Sequence, residues 1–279
     1  MKNIYEDLEI LTVTFKYEHI IESCLSKIDE NFKVTIVENS DNLNFKKKME
    51  ERKNVKCILA NENLGFGSAF NLGAKNINSK YILHINPDVK IDNIVIEKLH
   101  KEAINIENLA ILSPLESEVG KINSLNNTNK IIDAEYVRGF VMLINNENCK
   151  TSNYFDENFF LYLEEIDLCK RLKEDNKKIC LIPSIQVEHY GGKSHNPIYA
   201  EKMEIQRNWH YLWSLFYFSK KHYGIFYAYR KTLKKFISAI IKLIFYYFFN
   251  KKKYLIYKHR FLGLLNSYLG RKSSFRVIL

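Results

Sequence analysis

At 279 residues and 46% hydrophobic, the chain can bury a substantial core, which excludes a disordered protein and permits one large domain or two smaller ones. Its five cysteines are odd in number, scattered and without a CxxC pair, which excludes a disulfide framework or a cysteine zinc site and fits a reduced, cytoplasmic setting. The net charge of +10 is unevenly divided: of 42 Lys and Arg, residues 205–279 hold 16 with no Asp or Glu, leaving 26 basic and 32 acidic side chains before them.

The amino terminus, MKNIYEDLEILTVTF, carries acids where a secretory signal would carry positive charge, so no export signal is expected. Short apolar, β-branched runs at Leu8 to Thr14, Val34 to Val37, Val55 to Leu59 and Tyr81 to Ile85 predict buried strands. Amphipathic pieces at His19 to Ile28, Phe45 to Arg52, Gly67 to Ile77 and Ile91 to Ile106 predict helices between them. Strands alternating with helices give an α/β fold with a mixed, mainly parallel central sheet. A loop-rich passage around Glu116 to Lys130 follows, then strand-like runs at Tyr136 to Ile144 and Lys178 to Ile182.

From about Ala200 the chain turns aromatic and basic, and reads as helices; the expected division is an α/β domain over 1–205 and a helical, basic region over 206–279. The most apolar run, Phe236 to Phe249, is broken by Lys242 and is shorter than the roughly 20 residues a bilayer span needs. Lys234, Lys235, Lys251, Lys252, Lys253, Lys258 and Arg260 flank aromatic and aliphatic residues, the composition of a helix lying in an anionic membrane interface. The same pattern also suits a helical subdomain with its apolar stripe packed on the core and its basic face in water.

Four motifs carry chemistry. In NENLGFGSAFNLG, Asn61 to Gly73, small Gly65, Gly67, Ser68 and Ala69 let backbone approach a ligand ahead of a helix, or simply make a tight loop. Phe70 stands where a dinucleotide fingerprint needs its third glycine. The strand Tyr81 to Ile85 runs into Asn86, Pro87 and Asp88, hard oxygen ligands suited to Mg²⁺ or Mn²⁺, or an Asn-Pro-Asp turn. In HYGGKSH, His189 is a candidate metal ligand and Lys193 a candidate phosphate contact. FFLYLEEIDLCKRL, Phe159 to Leu172, sets Glu164, Glu165 and Asp167 at a helix start, where the helix dipole favours the ionised form and carboxylates can take up protons, hold metal or merely cap the helix.

In this order the pieces resemble the glycosyltransferase family 2 enzymes of GT-A fold, most closely the rhamnosyltransferase-like branch that builds bacterial surface polysaccharides. The resemblance covers residues 8 to about 220 and includes IVENS, INPDV, RGFVMLI and VEHYGGKS. It implies that Thr12, Thr14, Glu38 and Asn39 hold the donor nucleoside, that Asn63, Gly65 and Asn71 run along the nucleotide sugar, and that Asn86 and Asp88 form the DxD-type element. Asp88 and His189 would bind Mg²⁺ or Mn²⁺ on the donor diphosphate. Glu164 and Glu165 match the ED motif, whose second member is the base, with Asp167 as a rival base. Arg138, Gly139 and Arg171 would shape the acceptor side. Lys16 stands where the family has Asn, Glu38 where it has Asp, and Glu165 replaces the customary Asp.

The implied activity is inverting transfer from a dTDP- or UDP-sugar to a lipid-linked or oligosaccharide acceptor, rhamnose being one candidate sugar, by an enzyme at the inner face of the cytoplasmic membrane. Two readings compete: a nucleic-acid-binding protein using the basic aromatic tail, which leaves the ordered motifs without a purpose, and a non-catalytic relative that keeps the fold.

Overall fold

The computed structural model describes residues 3–16, 18–117, 130–190 and 197–277. The chain divides into two compact units, the first Met1–Asp156 with Glu165–His195, the second Glu157–Glu164 with Asn196–Leu279.

In the first unit, strands β1 (Leu8–Thr14), β2 (Lys33–Glu38), β3 (Val55–Leu59) and β4 (Tyr81–Ile85) pair in parallel in the order β3-β2-β1-β4. Helices α2 (Glu18–Leu25), α3 (Leu43–Met49) and α4 (Phe66–Ala74) connect them, and α1 (Ile4–Asp7) precedes them. β5 is the short Val89–Lys90, and α5 (Asn93–Ala103) starts at Asp92, whose side chain accepts from Val95 N–H at 3.0 Å and satisfies an amide of the first turn. The sheet continues through β8 (Val141–Asn145), β6 (Leu109–Ser117) and β9 (Lys178–His189), with β8 antiparallel to both neighbours. β7 (Ile132–Asp133) pairs with β9, and α6 (Asn146–Lys150) and α7 (Glu164–Glu174) complete the elements. Leu8, Ile10, Val34 and Ile36 point into one core, Leu11, Val37 and Ile82 into another, so side-chain alternation fills both faces of the sheet.

The two-residue strands β5 and β7 were not expected, and three longer strands depart from expectation. Tyr136 to Ile144 yields a strand only from Val141, because its partner β4 ends where Asn86 N–H donates to Phe140 O at 2.8 Å and Pro87 offers no further donor. β9 outruns Lys178 to Ile182: a register shift between the Pro114/Ile182 and Leu115/Gln186 pairs takes the chain past Pro183, and pairing resumes to Glu188. β6 itself went unanticipated. Its apolar run Leu109 to Leu112 is visible in the sequence, and Pro114 disguises the continuation.

The second unit contains α8 (Ala200–Tyr223), α9 (Ile225–Phe249) and α10 (Lys251–Tyr268) around Leu212, Phe216, Ala228 and Leu264. The segment Glu157–Glu164 belongs to this unit: Phe159 and Phe160 are buried, and Ser214 Oγ donates to Leu161 O at 2.9 Å. Phe160 packs on His210, whose ring nitrogens lie 2.8 Å from Ser273 Oγ and 2.8 Å from Phe275 O. Burial lowers the His210 pKa to about 3, so the ring is neutral. Tyr162 (φ +71°) and Leu163 (φ +70°) then turn the chain into α7 through two successive left-handed residues, an uncommon and strained conformation for non-glycine side chains. Among the described residues, no helix is long and apolar enough to cross a membrane. All five cysteines are buried and unpaired with one another.

Candidate active site

The carboxyl ends of β1, β2 and β4 lie side by side, the edge at which open α/β sheets receive ligands. Parallel register sets Thr14 opposite Glu38, and Asn39 N–H donates to Thr14 O at 2.8 Å. Thr12, Thr14, Glu38 and Asn39 are buried, and Ser40 Oγ donates to Glu38 Oε1. The Thr12 and Thr14 hydroxyls have no hydrogen-bond partner among the described residues. A buried polar atom in that state costs on the order of 1–3 kcal/mol, which a polar ligand at this edge would relieve.

Asn39 clamps the next loop. Its Nδ2 donates to Asn63 Oδ1 and to Gly65 O, each at 3.1 Å, and its Oδ1 accepts from Leu64 N–H at 2.9 Å. Gly65 has φ +82°, which glycine adopts without strain, and α4 begins immediately after it. Asn71 is engaged elsewhere: its amide donates to Phe155 O at 2.8 Å and accepts from Phe155 N–H at 3.2 Å, tying α4 to a loop 84 residues away.

At the end of β4, Asn86 Oδ1 lies 3.1 Å from His84 Nε2, while His84 Nδ1 lies 3.0 Å from Leu11 O. Burial lowers the His84 pKa to about 4, so this bridge between β1 and the Asn86 turn is neutral. The β5–β9 register places Val89 opposite His189, and Tyr190 N–H donates to Asp88 O at 3.1 Å. Strand pairing thus brings Asp88 Oδ1 to 3.2 Å from His189 Nε2. On the other ring nitrogen, Nδ1 lies 2.7 Å from Glu116 Oε1, and Arg138 pairs with the second Glu116 oxygen. Phe140 stacks on the His189 ring, 5.5 Å between centroids.

Asp88, then Glu116, raises the His189 pKa above the ordinary imidazole value against the opposing effect of burial. Burial pushes the Glu116 carboxyl up, but its bonds to His189 and Arg138 outweigh that and hold it below the usual carboxylate range. A hard carboxylate oxygen beside an imidazole nitrogen suits Mg²⁺ or Mn²⁺ when substrate oxygens complete the shell. The described residues assemble no group of three His, Cys, Asp or Glu able to hold a metal unaided. Glu116 on the far nitrogen makes the carboxylate–histidine arrangement that fixes the tautomer of a metal-binding ring.

Glu165 stands in the first turn of α7, partly exposed. A Cβ built on Gly139 would lie 3.9 Å from the Glu165 Cβ, so the RGF triplet reaches both sides of the site: Arg138 to Glu116, Gly139 to Glu165, Phe140 to His189. Burial raises the Glu165 pKa, while the amides of Glu165 and Ile166 and the Arg138 charge pull it back. Asp167 is fully buried and accepts from Arg171 Nε at 2.8 Å; the other Arg171 donors bind the Ser152 and Tyr154 carbonyls. Glu164 is buried and counts with the second unit. Lys193 lies outside the described residues.

Glu116, His84 and Phe140 are site residues that the sequence reading did not single out. Glu116 had one available signal, its place after the apolar run Leu109 to Leu115; His84 lies inside an apolar strand with none.

A family model described as Glycosyl transferase family 2 matches residues 10–167. A low-salt glycan biosynthesis hexosyltransferase, Agl10 of Haloferax volcanii, is 23% identical over 202 residues, covering 64% of this chain and 65% of that one, so the chain spans just under two thirds of that relative. The rhamnosyltransferase WbbL of Escherichia coli K12 is 23% identical over 251 residues, 76% of this chain and 92% of that protein. Among solved structures, the mannosyltransferase PcManGT from Pyrobaculum calidifontis, in complex with GDP-Man and Mn²⁺, superposes with a TM-score of 0.57 at 9% identity, covering 94% of this chain and 87% of that one. The fold is GT-A.

Proposed function

The chain belongs to glycosyl transferase family 2, and on that premise we propose that it is an inverting glycosyltransferase, moving a sugar from a nucleotide-diphosphate donor to a hydroxyl of a growing, lipid-linked bacterial surface glycan. The sugar is rhamnose or another hexose, carried on dTDP or UDP; the two relatives named above as hexosyltransferase and rhamnosyltransferase support that class. The enzyme works in the cytoplasm, peripheral to the inner face of the membrane.

One observation carries the reading. The contacts Asp88–His189–Glu116–Arg138 form a continuous path from the sheet edge to the arginine whose charge acts on Glu165. Thr12, Thr14, Glu38 and Asn39 would hold the nucleoside, and the Asn63–Gly65 loop would border the sugar. Asp88 and His189 would hold Mg²⁺ or Mn²⁺, which neutralises charge on a departing diphosphate. Glu165 takes the proton of the acceptor hydroxyl as that oxygen attacks the anomeric carbon; the carbon–diphosphate bond breaks on the opposite face and the configuration inverts. A carboxyl whose pKa is raised by burial is a stronger base once ionised, which suits this step. Asp167, bound to Arg171, fixes the helix that carries Glu165.

The test is a panel of UDP-, dTDP- and GDP-sugars with Mg²⁺ or Mn²⁺, read as ligand-induced stabilisation and nucleotide release. For the active donor, Glu165→Gln is expected to keep donor-induced stabilisation while transfer falls by about a hundredfold or more. Near-normal transfer in that variant, with loss in Asp167→Asn, would move the base to Asp167.

A further inference from the structure

We infer that the outer face of α9 is a docking surface for an anionic lipid bilayer, with the helix lying parallel to the membrane plane. The inference deepens the lipid-linked acceptor reading and rests on it for its purpose. No residue of this surface is among those proposed to take part in transfer.

Phe226, Tyr229, Leu233, Ile237, Ile241, Ile244 and Phe248 recur every three or four residues along α9, and all seven are exposed, from 39% at Tyr229 to 89% at Phe226. That spacing is one face of an α-helix, about 33 Å long at 1.5 Å per residue. Tyr247 and Phe249 extend the exposed set at the carboxyl end. The helix uses a different face for its own core: Ala228, Thr232 and Ala239 are buried, Phe236 packs against Phe261 and Tyr268 of α10, and Tyr229 borders both faces, touching Phe216 and Tyr268. A continuous exposed apolar stripe of this length marks an interaction site.

Charge selects the partner. Lys231, Lys234 and Lys242 are exposed on α9 beside the stripe, and Lys251, Lys252 and Lys253 follow it in α10. No Asp or Glu occurs after Glu204. A second copy presenting the same face would set cation against cation. Nucleic acid would meet the lysines but leave Leu233, Ile237, Ile241 and Ile244 without partners, since aliphatic side chains do not stack on bases. An anionic bilayer takes both, the stripe at the acyl boundary and the lysines among the headgroups. The interrupted hydropathy that prevents α9 from spanning a membrane is what an in-plane helix requires.

The test is sedimentation of the full chain with phosphatidylcholine vesicles, with and without about 30% phosphatidylglycerol, at low and high salt. The wild type should pellet with the anionic vesicles at low salt and release as salt rises. Ile241→Asp with Ile244→Asp, and separately Lys231→Glu with Lys234→Glu, should each lower the bound fraction about tenfold or more. These positions are exposed, so circular dichroism and unfolding temperature should stay at wild-type values. Equal pelleting with neutral and anionic vesicles, wild-type binding by the Asp pair, or an Ile241- and Ile244-dependent dimer or nucleic-acid complex would overturn the inference. Donor hydrolysis is read in parallel: vesicle binding lost with hydrolysis intact bears on this surface alone, and hydrolysis absent with vesicle binding intact bears on the transferase reading alone.

Discussion

His189 meets a carboxylate from each ring nitrogen, and the two carboxylates have different surroundings. Asp88 is buried at the sheet edge, whereas Glu116 is at the rim and shared with Arg138. On the proposed metal site, exchanging Glu116 for Gln preserves size but removes the charge expected to make the imidazole a better ligand. Mn²⁺ affinity in the presence of donor nucleotide should therefore weaken about tenfold or more by calorimetry, with the unfolding temperature unchanged. Unaltered affinity would reduce Glu116 to a packing role. Arg138 yields a pH signature. If Glu165 is the base, as proposed, it acts unprotonated, so kcat/KM is expected to fall as pH drops through its pKa, with burial setting that acid limb above the ordinary carboxylate range. Arg138 lowers this pKa, so Arg138→Ala should move the limb further towards alkaline pH; a fixed limb would mean that its charge does not reach the base.

Among the elements, α8 and α10 approach most closely where side chains are smallest. A Cβ on Gly263 would meet Trp209 O at 2.3 Å, and one turn later Ser267 Oγ donates to Trp213 O at 3.0 Å. Gly263→Ala should cost about 1–3 kcal/mol of stability in denaturant titration, because the blocking atom is helix backbone that cannot rotate aside. A stability within a few tenths of the wild type would show that the two helices can separate without loss. The start of α7 was legible because acids follow an apolar run, whereas the two left-handed residues before it were not: Tyr162 and Leu163 have no local preference for that backbone, which follows the buried Phe159 and Phe160. β6 escaped for the opposite reason, a strand signal interrupted by a proline that a bulge accommodates.

Across the whole molecule, the order of motifs disclosed the sheet and its ligand edge, since strand ends carrying Thr14, Glu38 and Asp88 can meet only if β1, β2 and β4 are parallel neighbours. Side-chain partners separated by long stretches of chain were invisible. Glu116 lies 73 residues from His189, and nothing local in LES announces a histidine. Charge segregation was readable from counting alone, but which helical face stays uncovered depends on how α8 and α10 pack, so the α9 stripe emerges only in three dimensions.

The five buried cysteines have a practical corollary. Burial pushes the thiols of Cys24, Cys57 and Cys169 up to about 12 and raises those of Cys149 and Cys180 as well. Alkylating reagents attack the thiolate, so the native chain should be nearly silent to maleimide at neutral pH. A single cysteine introduced at Ile241 would take a fluorophore with little background, and its emission would report the polarity around that one position without removal of any native thiol.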